Sequence, residues 1–248
     1  MHHTRRVGLI IPSSNRMVEE EMAKAFPPGV AVHVTRLRMT GSNRLAFDEL
    51  VPRIDDAARA LVDARCDVVA FHCTANSMEG GRDGEQHILS TLARAGAPHA
   101  TTTITAIQRA FDALGARRIV LITPYSAGTT EHEAEFLRQA GYDVLSAQGF
   151  ALAGSDAYCA TPPQFWRDRA VEAARPDADA YQISCANISV FGVISELEAR
   201  LERPIVTSNQ AVIWDTLRLI GWRDRDGCPG RLFTTNSSEA PMRKASGA

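Results

Sequence analysis

The sequence predicts an α/β protein made of two similar doubly wound parallel-sheet halves, related by a pseudo-two-fold axis, with the active site in the cleft between them. Short apolar runs alternate with helical stretches along almost the whole chain. A nine-residue block near the N-terminus recurs 112 positions later (118 minus 6). A cysteine follows a strand-like run at the same place in each repeat.

The strands are expected near Val7–Ile11, Ala31–Leu37, Val68–Phe71, Ile119–Ile122, Asp143–Leu145, Ala180–Ile183 and Ile205–Val206. Helical periodicity falls between them, around Val18–Ala25, Asp48–Ala64, Glu85–Ala95, Ile104–Leu114, Glu131–Ala140, Phe165–Ala174, Ile194–Leu201 and Val212–Ile220. Gly96, Gly115, Gly141, Gly221 and the Arg203-Pro204 pair supply helix stops.

The repeat sets Arg6-Val-Gly-Leu-Ile-Ile-Pro-Ser-Ser14 against Arg118-Ile-Val-Leu-Ile-Thr-Pro-Tyr-Ser126 without a gap. The same shift carries Asp67 onto Asp179 and Cys73 onto Cys185. One register kept across two separate motifs implies duplication of a half-domain. The halves are expected over residues 1–103 with 208–235 and over 104–207, leaving 236–248 as a loose tail. Doubly wound sheets bind ligands beyond the carboxyl ends of their strands. The site should therefore be built from 12–15, 73–77, 124–126 and 185–189, with the two cysteines opposed.

Composition narrows the chemistry. A formal net charge of −2 provides no bulk attraction for nucleic acid or an anionic membrane. The longest apolar run, Val7–Pro12, is too short to cross a bilayer. The opening MHHTRRVGLI has no secretory h-region, so a cytoplasmic location is expected. Five cysteines without a CxxC or ligand-type spacing argue against a disulfide framework or a metal site. No phosphate-binding glycine motif is present, and no cofactor is expected.

A cysteine after an apolar strand is ordinarily an inert core residue. Two at duplicated positions, each followed by small polar residues, are better read as a reactive pair. A thiolate is a strong nucleophile and a thiol a usable acid, although a free pKa of about 8.5 leaves little thiolate at neutral pH. Thr74, Asn76, Ser77, Asn187 and Ser189 offer donors for a carboxylate or oxyanion. Asn15 and Ser14 are candidate ligands, or caps of the following helix. Tyr125 is a candidate donor to a carboxylate. His72 is the rival base, but strand alternation should turn it away from Cys73. Cys66, Cys159 and Cys228 lack comparable surroundings.

These stretches resemble the aspartate/glutamate racemase superfamily, in its maleate cis-trans isomerase and arylmalonate decarboxylase branch. The likeness runs from Gly8-Leu-Ile-Ile-Pro-Ser-Ser-Asn15 through Pro124-Tyr125, Phe136-Leu137, Gly141 and Ser184-Cys185 to Pro229-Gly-Arg-Leu-Phe233. It implies a cofactor-independent homo-oligomeric enzyme acting on a small carboxylate. On the isomerase pattern Cys73 attacks the double bond and Cys185 supplies and recovers the proton. Asn15 and Tyr125 hold the carboxylates, with Ser14, Thr74, Ala75, Ala186 and Asn187 completing the binding site. Decarboxylases of this branch keep only the second cysteine, with Gly in place of Cys73, and bind a carboxylate through a Thr-Ser pair where this chain has Thr74-Ala75. A maleate-type isomerase is the expected activity, with a racemase or arylmalonate-type decarboxylase as the alternative. The polar residues that follow both cysteines depart from the isomerase pattern and imply a more polar pocket.

Overall fold

The computed structural model describes residues 4–39, 45–223 and 228–235. β1 (Arg5–Pro12), β2 (Val30–Leu37), β3 (Val68–Phe71) and β4 (Ala100–Thr102) form one sheet, in the order β2-β1-β3-β4. β5 (Arg118–Thr123), β6 (Asp143–Gly149), β7 (Ala180–Ile183) and β8 (Ile205–Thr207) form a second, in the order β6-β5-β7-β8. Every pairing is parallel. Central parallel strands are covered on both faces and read as unbroken apolar runs; β3 and β7 are buried at every position.

The interleaved helices are α1 (Val18–Ala25), α2 (Phe47–Asp63), α3 (Thr74–Ser77), α4 (Gly81–Arg94), α5 (Thr103–Leu114), α6 (Ala127–Gln139), α7 (Gly154–Ala160), α8 (Pro163–Glu172), α9 (Ile194–Leu201), α10 (Ser208–Leu219) and α11 (Arg231–Thr234). α5 and α10 leave β4 and β8 without a connecting loop. The Thr102 and Thr207 hydroxyls cap them by accepting N–H groups of Thr105 and Gln210, each at 3.1 Å. The two helices pack on each other, and α10 also packs on β3, β4 and α1. Val7 and Leu9 of β1, Phe111 of α5, Leu121 of β5 and Trp214 of α10 consequently share one core.

β4, α3, α7 and α11 were not expected from sequence. β4 has three residues, while α3 and α11 are single turns, too short to show a period. α7 has no buried residue, so it carries no apolar stripe to read. The tail at 236–248 lies outside the described residues.

The duplication extends to hydrogen bonds. Asp67 accepts the Arg6 N–H at 2.8 Å, and Asp179 accepts the Arg118 N–H at 2.8 Å. Glu21 and Glu133 are also 112 apart (133 minus 21), and both are buried. Their partners differ. Glu21 accepts from the Asn209 amide at 2.6 Å and from the N–H groups of Val190 and Phe191 at 3.2 and 3.3 Å. Glu133 accepts from the Gln182 amide at 2.6 Å, and its other oxygen has no well-aligned partner among the described residues. Burial pushes Glu133 up to about 7, against the pull of Ser184 and Gln182.

The repeat breaks at the cysteines. Cys73 has φ −152 and leads into α3. Cys185 has φ +124, a conformation that L-residues rarely adopt. It is held there by its N–H, which donates to the Ser208 hydroxyl at 3.0 Å, while the Ser184 N–H stays in register with the Ile122 carbonyl at 2.8 Å. Such backbone strain typically costs about 1–3 kcal/mol and concentrates where function needs it.

Two stability measurements follow from these features. Cys185→Gly should unfold at higher temperature than Cys185→Ala, by about 1 kcal/mol equivalent, because glycine relieves the positive φ. The reverse order would mean that the backbone there is unstrained. Glu133 is raised in the folded state, so its contribution is full below the ordinary 4.5 and lost as pH rises through about 7. Urea titration should show Glu133→Gln stabilising the fold by a few kcal/mol near pH 8, a gain that shrinks as pH falls toward 4.5.

Candidate active site

A cavity of about 330 Å³ opens where the carboxyl ends of the two sheets face each other. The β1 end contributes Pro12, Ser14 and Asn15, and the β3 end Cys73, Thr74, Ala75 and Asn76. From the second half come Tyr125, Ser126 and Thr129 after β5, and Cys185, Ala186 and Asn187 after β7. Cys73, Cys185 and the seven residues expected to bind substrate thus line one cavity, as does Asn76; Ser77 and Ser189, also offered as donors, are not part of its lining. The sequence reading missed its remaining wall, Ala151, Leu152, Gly154, Ser155 and Tyr158, which follows β6 and enters α7. Gly149 lets this wall approach: a Cβ there would lie 2.6 Å from the Tyr125 carbonyl oxygen and 2.3 Å from the Thr130 hydroxyl.

Polar contacts between the halves fix the cleft. The Asn15 Oδ1 accepts the N–H groups of Met17 and Val18, at 3.1 and 3.0 Å, and so caps the start of α1. Its Nδ2 donates to the Ala186 carbonyl at 2.9 Å, leaving the second amide hydrogen for a ligand. The Arg16 N–H donates to the Asn187 Oδ1 at 2.9 Å. The Ser155 hydroxyl donates to that of Ser14 at 2.9 Å. The Ser208 hydroxyl, which holds the Cys185 N–H, also meets the Thr74 hydroxyl at 2.9 Å. It joins the residue after one cysteine to the backbone of the other.

The two thiols have different surroundings. Cys185 is pushed up to about 12, chiefly by burial. The Tyr125 hydroxyl and the Asn187 N–H, 3.4 Å from the sulfur, pull it down, while Cys73 and Glu133 push it up. It is a thiol at neutral pH. Cys73 instead receives the Asn76 amide N–H at 3.0 Å. Tyr125 is buried, held well above the ordinary phenol value by burial and then by Cys185, and its ring stands edge-on to Tyr158 at 6.1 Å. It therefore stays a neutral donor.

His72 lies outside the cavity, as strand alternation requires. Its Nε2 is 2.9 Å from the Asn209 Oδ1, whose amide nitrogen is committed to Glu21, so Nε2 carries the proton. Its Nδ1 faces the Thr103 hydroxyl at 2.9 Å. Burial pushes the ring down to about 4, so it is neutral and structural. Among the described residues no Lys or Arg lines the cavity; the Arg16 guanidinium points outward to Asp156 at 2.7 Å. Among the described residues no group of three His, Cys, Asp or Glu side chains is placed to hold a metal ion, and no helix is long and apolar enough to cross a membrane.

Comparison with known proteins places this geometry. An arylmalonate decarboxylase from Bordetella bronchiseptica is 29% identical over 236 residues, covering 93% of this chain and 97% of the relative. A maleate isomerase from Nocardia farcinica is 25% identical over 245 residues, covering 94% and 97%. The fold matches that of a solved Cys-to-Ser mutant of Nocardia farcinica maleate cis-trans isomerase with a covalently bound succinylcysteine intermediate. The TM-score is 0.83 at 23% identity, over 92% of this chain and 98% of that one. A family model described as arylmalonate decarboxylase matches residues 7–233, and the chain belongs to that family, which also takes in maleate isomerases.

Proposed function

We propose that this chain isomerises a small cis-unsaturated dicarboxylate of the maleate type, through a covalent adduct on Cys73 with Cys185 as acid and base. The observation that carries this reading is the presence of two thiols in unlike surroundings on one cavity. The Cys73 thiolate adds to one alkene carbon, and the electron pair shifts to the other, next to a carboxylate. Cys185 protonates that carbon and becomes the thiolate, leaving a saturated thioether free to rotate about its central bond. Cys185 then takes the proton back, the carbon–sulfur bond breaks, and the trans product leaves with Cys73 restored as thiolate. The succinylcysteine in the Nocardia farcinica structure is the intermediate such a route requires.

With no cation among the described residues of the cavity wall, the carboxylates would rest on neutral donors: the Tyr125 hydroxyl, the remaining Asn15 N–H, the Ser14 hydroxyl and the Asn187 amide. Cys185 supplies its proton at any pH well below about 12, so activity should not fall with rising pH on its account until strongly alkaline conditions. A second reading, decarboxylation of an arylmalonate with Cys185 as the proton donor, is favoured by the Bordetella bronchiseptica relative and by the Leu152 and Tyr158 wall. On that reading Cys73 is dispensable.

NMR in heavy water with maleate and with phenylmalonate separates the two. The isomerase reading expects fumarate from maleate; carbon dioxide from phenylmalonate without any fumarate would replace it. Cys73→Ser should abolish isomerisation, and near-normal turnover would overturn the nucleophile assignment. In Cys185→Ser, intact-mass measurement should show an adduct one substrate heavier accumulating on Cys73. Tyr125→Phe should raise KM about five- to thirtyfold, the loss of one hydrogen bond to a charged group worth about 1–2 kcal/mol. A change below about twofold on that scale removes Tyr125 from substrate binding.

A further inference from the structure

We propose that Asn76 is a positioning residue that holds Cys73 as the resting thiolate and so decides which of the two duplicated cysteines is the nucleophile. This rests on the reading of Cys73 as the attacking sulfur and adds the group that prepares it.

The geometry is local and rigid. Asn76 lies on the single turn of α3, three residues after Cys73, which stands just before that turn, and its side chain reaches back to the sulfur. Its Nδ2 is 3.0 Å from the Cys73 sulfur. The amide cannot turn its oxygen to that sulfur, because Oδ1 accepts the Leu45 N–H at 3.2 Å. The nitrogen side faces sulfur throughout, with the Met39 thioether 3.8 Å away. The whole side chain is buried. A fixed N–H aimed at sulfur stabilises the anion more than the thiol, because hydrogen bonds to charged groups are the stronger class.

The second half lacks this device. The residue at the repeat position of Asn76 is Ile188 (76 plus 112), a buried apolar side chain that can donate nothing. Cys185 has instead the Tyr125 hydroxyl and one longer backbone contact, and burial keeps it protonated. A duplicated pair of cysteines begins equivalent, and one amide-to-aliphatic difference three residues downstream gives them opposite charge states. Asn76 was noted from sequence only as one of several polar residues behind Cys73; the fold brings its amide to the sulfur.

The test reads ionisation directly and not turnover. Cys73 alkylation by iodoacetamide, localised by peptide mass spectrometry, is followed against pH in the full chain and in Asn76→Ala and Asn76→Asp. Asn76→Ala should raise the midpoint by about one to two pH units and cut labelling at neutral pH about ten- to hundredfold. Asn76→Asp should raise it further by adding a like charge at the same place. An unchanged midpoint in a folded variant overturns the proposal. Should neither variant fold, the ultraviolet thiolate absorbance of the native chain minus that of Cys73→Ser decides it. Thiolate must already be present below the free-cysteine value of about 8.5, and its appearance only above that value is a refutation. A shifted midpoint in a chain that turns over equally well as Cys73→Ser would keep the role of Asn76 and discard the nucleophile reading alone.

Discussion

The site depends on one hydroxyl. Ser208 stands at the first residue of α10, where the chain leaves the second sheet to pack against the first. Its oxygen meets the Cys185 N–H at 3.0 Å and the Thr74 hydroxyl at 2.9 Å. It thus ties the strained backbone of one cysteine to the residue after the other. A single atom linked to both loops keeps them from moving independently, and placing it on a helix shared by both halves makes it as rigid as the core. The Asn15 amide does the same from the opposite side, capping α1 while bonding the Ala186 carbonyl.

Around that frame the two halves differ sharply where the cavity is built. The aspartate clasps at Asp67 and Asp179 remain alike, as do the strand orders and the threonine caps of α5 and α10. The differences begin at the strand ends. His72, tied into the core, stands opposite Ser184; Asn76 opposite Ile188; and φ −152 at Cys73 opposite +124 at Cys185. On the proposed route the site needs one anion and one acid, and unlike surroundings fix which sulfur takes each role. The divergence supplies that difference.

Much of this was legible in the chain itself, for physical reasons. The apolar runs and the repeat of Arg6–Ser14 at Arg118–Ser126 fix the sheets, because buried parallel strands admit little but aliphatic residues. Parallel topology then sends every strand end to one side, which put Cys73, Cys185, Asn15 and Tyr125 together before any coordinates. The wall at Ala151–Tyr158 was not legible, because α7 buries nothing and so shows no period. Nor was the division of labour in Asn15, whose oxygen caps α1 while its nitrogen crosses the cleft; a residue type that suits both tasks does not say how it is shared between them. The contact from Asn76 to Cys73 requires α3, a turn too short for any sequence signal.

The unequal thiols also bear on turnover. On the proposed route the net charge in the cavity is constant: addition consumes the anion at Cys73, and protonation of the carbanion creates one at Cys185. What changes is where the charge resides. It moves from a sulfur beside the fixed Asn76 N–H to one that burial pushes up to about 12. The adduct therefore stores its charge in the less hospitable place, which favours the overall elimination that returns the charge to Cys73. The tyrosine hydroxyl and the Asn187 N–H keep that place tolerable enough to be reached. On the proposed route, the imbalance between the two sulfurs favours release of product over accumulation of the thioether.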